Sequence, residues 1–324
     1  MNILLEGKQA DLMHAYLKSW QLTDGNGTEG DNLVLVLKSD KVDSLPPKGE
    51  SYKVSLGDVY RDTFQISSRK ATLSPREVRL VLSVAPFNIK DSTGYREAKS
   101  ASWSNTTLHQ VVSDCVLEHG YSVFIHPRLQ KIKIEHVDRT DESTGPFLRR
   151  LANLYDAVAK PVDGVFVVAP KGEAKSATGN AIETITLSRV SDGDGASLIQ
   201  VTMDLDGRNE FNGVKAFYVS TDDGQRHEVQ VGSAPFKSLA KDCNSEAEAK
   251  QTATASLRKM QREGRGISIS APANPATFAE GIVVLDESFP KPFASTSSID
   301  SVVFSGRGRQ VKTMEIRATM NGEE

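Results

Sequence analysis

A β-rich α+β fold, with a small α/β insert in its middle and one additional helix near its C-terminal end, is what the sequence predicts. Three observations carry that expectation. The first ninety residues alternate apolar and polar positions, a helical period takes over after residue 100, and strand patterns return from Ile182 onward. A chain of 324 residues also exceeds the roughly 100–150 residues usual for one core, so two or three cores are expected.

In the first region Asn32 to Lys38 is an apolar run, Tyr52 to Leu56 alternates, and Val78, Leu80, Leu82 and Val84 share one face while Glu77, Arg79 and Ser83 take the other. This is the period-two pattern of barrel or sandwich strands. Asp24-Gly25-Asn26-Gly27 and Pro46-Pro47-Lys48-Gly49 punctuate it as loops, because proline fixes φ and glycine or asparagine tolerates positive φ.

After Asp91-Ser92-Thr93-Gly94, Leu108, Val111, Val112, Cys115 and Val116 fall at helical spacing, with Asn105 or Thr106 as N-cap and Gly120 as the stop. Two strand-like pieces follow, Ser122 to His126 and Lys131 to Glu135, then a helix from about Ser143 with the apolar stripe Phe147, Leu148, Leu151, Leu154 and Tyr155. Strands near Ala157 to Lys160 and Val165 to Ala169 complete the insert, which ends in the polar segment Lys171 to Asn180.

Beyond it, strands are expected at Ile182 to Val190, Leu198 to Met203, Val214 to Val219 and His227 to Val231. Ser245-Glu246-Ala247-Glu248 has capping-box spacing, and Ala249, Ala253, Ser256, Leu257 and Met260 line one helical face before Gly264. Strands then run at Ile267 to Ser270, Ile282 to Leu285, Ile299 to Phe304 and Val311 to Ala318, with a frayed tail from Met320 to Glu324. An internal echo links the two β regions: Gly49 precedes strands at 52, 64 and 77, and Gly281 precedes the same order at 282, 299 and 311, a likeness of pattern and not of identity.

Hydrophobic residues at 38%, charged residues at 25% and a net charge of -3 describe a globular chain with no global pull toward nucleic acid or anionic membrane. No apolar run approaches the 18 or more residues of a membrane helix. The start, Met1 to Gly7, lacks the basic head and apolar core of a signal peptide, so a cytoplasmic site of synthesis and assembly is expected. Two distant cysteines, Cys115 and Cys243, fit a reducing compartment and no disulfide framework.

Signatures for phosphate loops, zinc proteases, acyl-transfer serines and dithiol redox centres are all absent from the sequence. Cys115 and His119 lie one helical turn apart, but Cys115 belongs to the apolar stripe and reads as a buried thiol. His119, His126 and His136 have no second cysteine nearby to complete a tetrahedral metal set. Asp192-Gly193-Asp194-Gly195 and Asp204-Leu205-Asp206-Gly207 lack the bidentate glutamate of a calcium loop, since position 12 is Met203 or Lys215, and read as tight turns. Asp138, Asp141 and Glu142 invite an acid/base reading, yet carboxylates just before a helix start are explained by its dipole. Arg258, Lys259, Arg262, Arg265, Arg307 and Arg309 form the one basic cluster, without interleaved aromatics, and read as a solvated or subunit-facing surface. No catalytic, cofactor-binding or metal-ligating residue is assigned.

Three stretches resemble the phage late control protein D family, also called tail protein D, whose members are similar to the hub portion of VgrG spike proteins. The first is Ser102-Trp103-Ser104-Asn105-Thr106-Thr107-Leu108, followed by His119-Gly120-Tyr121. The second is Val137-Asp138-Arg139-Thr140-Asp141-Glu142-Ser143, then Phe147 to Ala152, Tyr155-Asp156-Ala157 and Lys160-Pro161-Val162. The third is the helix ending near Gly264 with the β-rich end, where Gly306 and Gly308 turn into the final strand. Arg139 stands where the family often has Gln, and Thr144-Gly145-Pro146 is unusual before Phe147, departures that touch the start of a helix and no reactive group.

The resemblance implies two tube-like β-barrel domains, 1–96 and 176–324, with an inserted α/β domain at 97–175 and a helix at 245–263. It implies a non-enzymatic baseplate hub in the virion tail, a homotrimer between the tail tube protein and the central spike protein. Tape-measure and baseplate wedge proteins are further expected partners, DNA passes the lumen without specific binding, and no cofactor or membrane insertion is expected. A tail-associated cell-wall hydrolase and a nucleic-acid-binding late regulator are the alternatives.

Overall fold

The computed structural model describes residues 1–26, 31–39, 45–84, 93–162, 164–171, 183–189, 199–205, 211–220, 223–263 and 265–320. The chain opens with β1 (Ile3–Glu6), α1 (Ala10–Tyr16), β2 (Leu17–Gly25), β3 (Asn32–Lys38), β4 (Ser51–Leu56), β5 (Val59–Thr72) and β6 (Glu77–Ser83). Its middle forms β7 (Lys99–Thr107), α2 (Leu108–Val116), a 3-10 turn (Leu117–His119), β8 (Ser122–Ile125), α3 (Pro127–Gln130), β9 (Lys133–Glu142), α4 (Thr144–Leu154), β10 (Ala157–Val162) and β11 (Val165–Pro170). Then come β12 (Ile185–Leu187), β13 (Gln200–Leu205), β14 (Gly213–Val219), β15 (Arg226–Gly232), β16 (Phe236–Ser238) and α5 (Glu246–Glu263). The chain closes with β17 (Arg265–Pro272), β18 (Ile282–Leu285), β19 (Ser295–Arg307) and β20 (Gln310–Met320).

The first and last β regions form one hydrogen-bonded sheet of twelve strands, in the order β1-β4-β5-β6-β3-β2-β19-β20-β17-β13, with β18 and β12 attached beside β19. Alternation drives it: Leu33, Leu35 and Leu37 of β3 are buried, as are Leu80 and Leu82 of β6 and Val302 and Phe304 of β19. Each fully buried leucine of this kind contributes about 2 kcal/mol of burial free energy. The far edge curls back, since Ile3 N donates to Arg309 O at 2.8 Å and Val311 N donates to Met1 O at 3.1 Å.

The echo in the sequence is a repeat of strand order: β4-β5-β6-β3-β2 in one half, β18-β19-β20-β17-β13 in the other. The agreement reaches single residues. The register of the long middle strand shifts between Ile66 and Ser68 in β5, and between Ile299 and Ser301 in β19. Gly49 N donates to Ile66 O at 3.0 Å and Glu280 N donates to Ile299 O at 2.8 Å, while Ile66 N donates to Glu50 O and Ile299 N to Gly281 O. Both turn residues have left-handed backbones, Gly49 at φ +82° and Glu280 at φ +69°.

In the middle of the chain, α2 and α4 bury Val111, Val112, Cys115, Phe147, Leu148 and Leu151 against Ile125, Phe166 and Val168 of the three-stranded sheet β10-β11-β8. The stretch before α2 is a strand, β7, paired with β9. Trp103 anchors it, stacked on Phe147 at 5.4 Å between ring centroids. Because the ladder continues to Thr107, that residue is the N-cap of α2 instead of Asn105 or Thr106, and its Oγ1 accepts from Gln110 N at 3.3 Å. Gly120 ends the following turn at φ +81°.

A third small core joins Val214 and Ala216 of β14 to Ala249 and Ala253 of α5. Ser245 Oγ accepts from Glu248 N at 3.3 Å, one half of the capping box that the sequence predicts, while Glu248 Oε2 accepts from Asn244 N at 2.8 Å, one residue before the N-cap of a true box. Gly264, most of the polar stretch after Lys171, and the tail after Met320 lie outside the described residues. No helix among the described residues is long and apolar enough to cross a membrane.

Candidate functional site

The carboxylates singled out in the sequence do stand just before a helix start. Asp138, Asp141 and Glu142 lie in the last part of strand β9, which the ladder to β7 carries directly to Ser143, the N-cap of α4. Asp138 accepts from Ser102 Oγ at 2.6 Å and lies 3.1 Å from His136 Nε2, and these hydrogen bonds lower its pKa. Arg150 Nε and Nη2 bind both oxygens of Glu142 at 2.8–3.2 Å, which lowers its pKa as well. Asp141 N donates to Ser100 Oγ. All three positions are exposed or partly exposed, and each is engaged by different partners.

Cys115 is 2% exposed, and burial raises its thiol pKa to about 11 against the opposing Arg139 guanidinium. His119 contacts Thr93 and Thr144, His126 caps α3 by accepting from Arg128 N, and His136 lies on exposed β9. No group of three potential metal ligands occurs among the described residues. Asp192-Gly193-Asp194-Gly195 and Asp206-Gly207 lie outside the described residues, while Asp204 and Leu205 end β13 rather than opening a turn.

The basic residues form no single cluster. Arg258 and Lys259 ride on α5, which leads to β17 beside Thr319, whereas Arg307 and Arg309 flank the β19–β20 hairpin tip. β20 spans 11 residues, so its ends stand roughly 30 Å apart. The side chains of Arg262 and Arg265 lie outside the described residues.

What the structure brings together instead is a buried charge cluster where both halves of the large sheet meet the insert. A cavity of about 460 Å³ opens there, lined by Asp24, Asp31, Arg61, Asp62, Lys160 and Glu280 among others. Arg61, from β5, is 2% exposed at its side chain. Its Nη2 donates to Asp24 Oδ2 at 2.8 Å, and its Nη1 donates to the carbonyls of Pro275 at 3.0 Å and Thr277 at 2.8 Å. Its guanidinium lies 3.7 Å from the centroid of the Phe278 ring. Asp24, near the end of β2, also accepts from Ala279 N at 3.1 Å. One arginine and one aspartate thus join the two halves.

Lys160, from β10, joins the insert to both. Its Nζ donates to Gly25 O at 3.0 Å and lies 3.2 Å from Glu280 Oε1 and 3.7 Å from Asp24 Oδ1. The contact with Glu280 is an ion pair by distance only, since Oε1 is buried without a well-directed hydrogen bond. Burial works against the charge on Lys160, but Asp31, Glu280 and Asp24 outweigh it and raise its pKa. Burial raises Glu280, with Lys160 opposing. Asp31, whose Oδ1 accepts from Gly25 N at 2.9 Å, is pushed up to about 7 chiefly by burial, with Lys160 pulling it down and Asp24 and Glu280 adding to the rise.

Chemically this is a clamp. Lys160 is held as an ammonium without the free electron pair that imine formation needs, and Arg61 spends its donors on one carboxylate and two carbonyls. Asp24, Asp31 and Glu280 thus surround the two cations, Lys160 and Arg61. Sequence reasoning missed the cluster because positions 24, 31, 61, 160 and 280 are distant in the chain. One signal was present: a lysine directly following Ala157-Val158-Ala159 in a buried strand needs a partner.

The fold is that of phage tail proteins and of a type VI secretion component. The 43 kDa tail protein of prophage MuSo2 from Shewanella oneidensis superposes with a TM-score of 0.69 at 12% identity, covering 98% of this chain and 97% of that one. An E. coli component of the type VI secretion system, itself described as structurally similar to T4 phage tail proteins, superposes with a TM-score of 0.57 at 12% identity, covering 100% of this chain and 78% of that one. By sequence the chain is a homologue of phage baseplate hub proteins. It is 28% identical over 212 residues, 64% of its length, to the probable baseplate hub protein of Escherichia phage P2, and 26% identical over 220 residues, 66% of its length, to that of Escherichia phage 186. These matches cover 52% and 54% of the relatives, so the chain spans about half the length of the curated relatives it matches. No protein-family model matches the chain.

Proposed function

We propose that this chain is a baseplate hub of a contractile phage or phage-like tail, a structural component in which three copies form a ring between a sixfold tail tube and a threefold central spike. The observation that carries this reading is the repeated strand order of the two β halves. A ring of three such chains presents six similar units, which lets a threefold partner meet a sixfold one without a mismatched seam.

In this reading 1–96 and 176–324 supply two tube-like barrel units and 97–175 is the inserted domain. The ring is assembled in the host cytoplasm and becomes part of the virion baseplate. Its partners are further copies of itself, the spike, the tube, and the tape-measure and wedge proteins, with DNA passing through the lumen. The chain performs no bond-making of its own: Lys160 and Arg61 hold regions together, and the relatives carry the name of a hub. The test is light scattering of the purified chain with and without its cognate spike protein, followed by electron microscopy of the complex. A particle of three hub copies with six lobes around an axis is expected. A complex with one hub copy per spike, or no complex, would overturn the reading.

A further inference from the structure

The repeat makes a second prediction, about a surface that the described residues leave open. Within the chain the edge strand of the first half, β2, pairs antiparallel with the outer part of β19, from Ser301 to Arg307. The counterpart of β2 in the second half is β13, and among the described residues β13 pairs only with β17. The counterpart of that part of β19 is Ser68 to Thr72 of β5, which among the described residues pairs only with β6.

We propose that β13 of one copy pairs antiparallel with Ser68 to Thr72 of β5 in a second copy, in the register that β2 and β19 take within the chain. This deepens the ring reading and rests on it, because it names the strands that join one copy to the next.

The register follows from the repeat. Ser68 pairs with Val81 directly after the β5 bulge, and Ser301 pairs with Arg317 directly after the β19 bulge, so Ser68 corresponds to Ser301 and Ala71 to Phe304. Leu33 pairs with both Leu82 and Leu22, and Ile267 pairs with both Ala318 and Met203, so Leu22 corresponds to Met203. Phe304 lies opposite Leu22 within the chain. Ala71 of one copy therefore lies opposite Met203 of the next, Thr72 opposite Thr202, and Leu73 opposite Val201.

The surfaces suit that use. Ala71, Thr72 and Thr202 are exposed, and Leu73 is 86% exposed at the tip of the β5–β6 hairpin. The stretch Gln200-Val201-Thr202-Met203 carries neither proline nor lysine, the residues that commonly protect a strand edge from pairing, while the partner edge carries Lys70, which in this register lies opposite Asp204. The two edges are different surfaces of the molecule. Such contacts are heterologous, and they close into a ring when the rotation between copies permits. Three junctions within chains would then alternate with three between chains.

The test is cysteine trapping in the full chain, with Cys243→Ser to remove the half-buried native thiol while Cys115 stays buried. Thr72→Cys with Thr202→Cys places thiols directly opposite each other across the proposed junction, and both positions are exposed, so the fold is preserved. Under a mild oxidant, non-reducing electrophoresis is expected to show linked dimers and trimers. A control pair, Thr72→Cys with Gln200→Cys, is two residues out of register and should give roughly tenfold less product, because its Cα separation exceeds what a disulfide spans. A ring seen by light scattering with the spike protein but without the in-register cross-link would overturn the strand pairing and leave the ring intact. Absence of both cross-link and ring would overturn the two together. Equal linkage in both pairs would also overturn the register.

Discussion

The two halves of the large sheet share a strand order, yet they treat their edges and turns differently. In the first half β2 is covered by β19, and in the second β13 is open among the described residues. At the matched turn the first half uses Gly49 and the second Glu280, both with left-handed backbones. Asp24 anchors the covered junction, whereas Leu205 takes the corresponding place in β13 when the register is carried one residue on. The charge cluster therefore belongs to the junction within the chain and is not a property of the repeated unit. The seam within the chain is fixed by buried ions that also hold the insert, and no copy of them occurs at β13 among the described residues.

The largest way to break that contrast is Lys160→Met. Removing one partner of a buried ionic cluster costs about 3–5 kcal/mol, and here it leaves Asp24, Asp31 and Glu280 facing Arg61 alone. Urea denaturation at pH 7 should show the loss as a lower midpoint, and an unchanged midpoint would mean that the seam is held by packing only.

Asp31→Asn acts in the opposite direction. The native state keeps the Asp31 proton up to about pH 7, whereas an unfolded chain releases it near pH 4. This carboxyl therefore makes stability fall as pH rises between those values, with the full penalty present above about pH 7. Asparagine keeps the oxygen that accepts from Gly25 N and leaves Asp24 and Glu280 matched by Lys160 and Arg61. Thermal unfolding should show a gain on the order of 2 kcal/mol at pH 8, almost none at pH 4, and a flatter profile between.

The strands were legible wherever alternation was clean, as at Val78 to Val84, and α2, α4 and α5 were legible from their apolar stripes. β7 was not, since Lys99 to Thr107 is polar on both faces and is held by a ladder to β9 and by one tryptophan on Phe147. β1, α1 and β2 were missed for a related reason: α1 buries only Met13, and the buried residues of β2 alternate irregularly. Local clustering misled the choice of site. Asp138, Asp141 and Glu142 are neighbours in sequence and each is engaged on its own, while the residues that share a cavity are brought together by the tertiary fold.

At Gly49 a Cβ would meet nothing within 4 Å, so Gly49→Ala tests the backbone alone and should cost about 1 kcal/mol, with Gly49→Asn costing less. At Glu280 the same left-handed backbone already carries a side chain, so Glu280→Gly should recover about 1 kcal/mol of strain while losing the carboxylate beside Lys160. Burial raises the pKa of Glu280 against the pull of Lys160, so the folded parent holds this proton to higher pH than the unfolded chain does and loses stability as the pH rises through that range. The variant has no such proton to lose, so its stability relative to the parent should rise from acid to neutral pH in urea denaturation. A relative stability that falls as the pH rises would show that pairing with Lys160 outweighs the burial of the carboxylate, and that the left-handed glutamate is held for its charge.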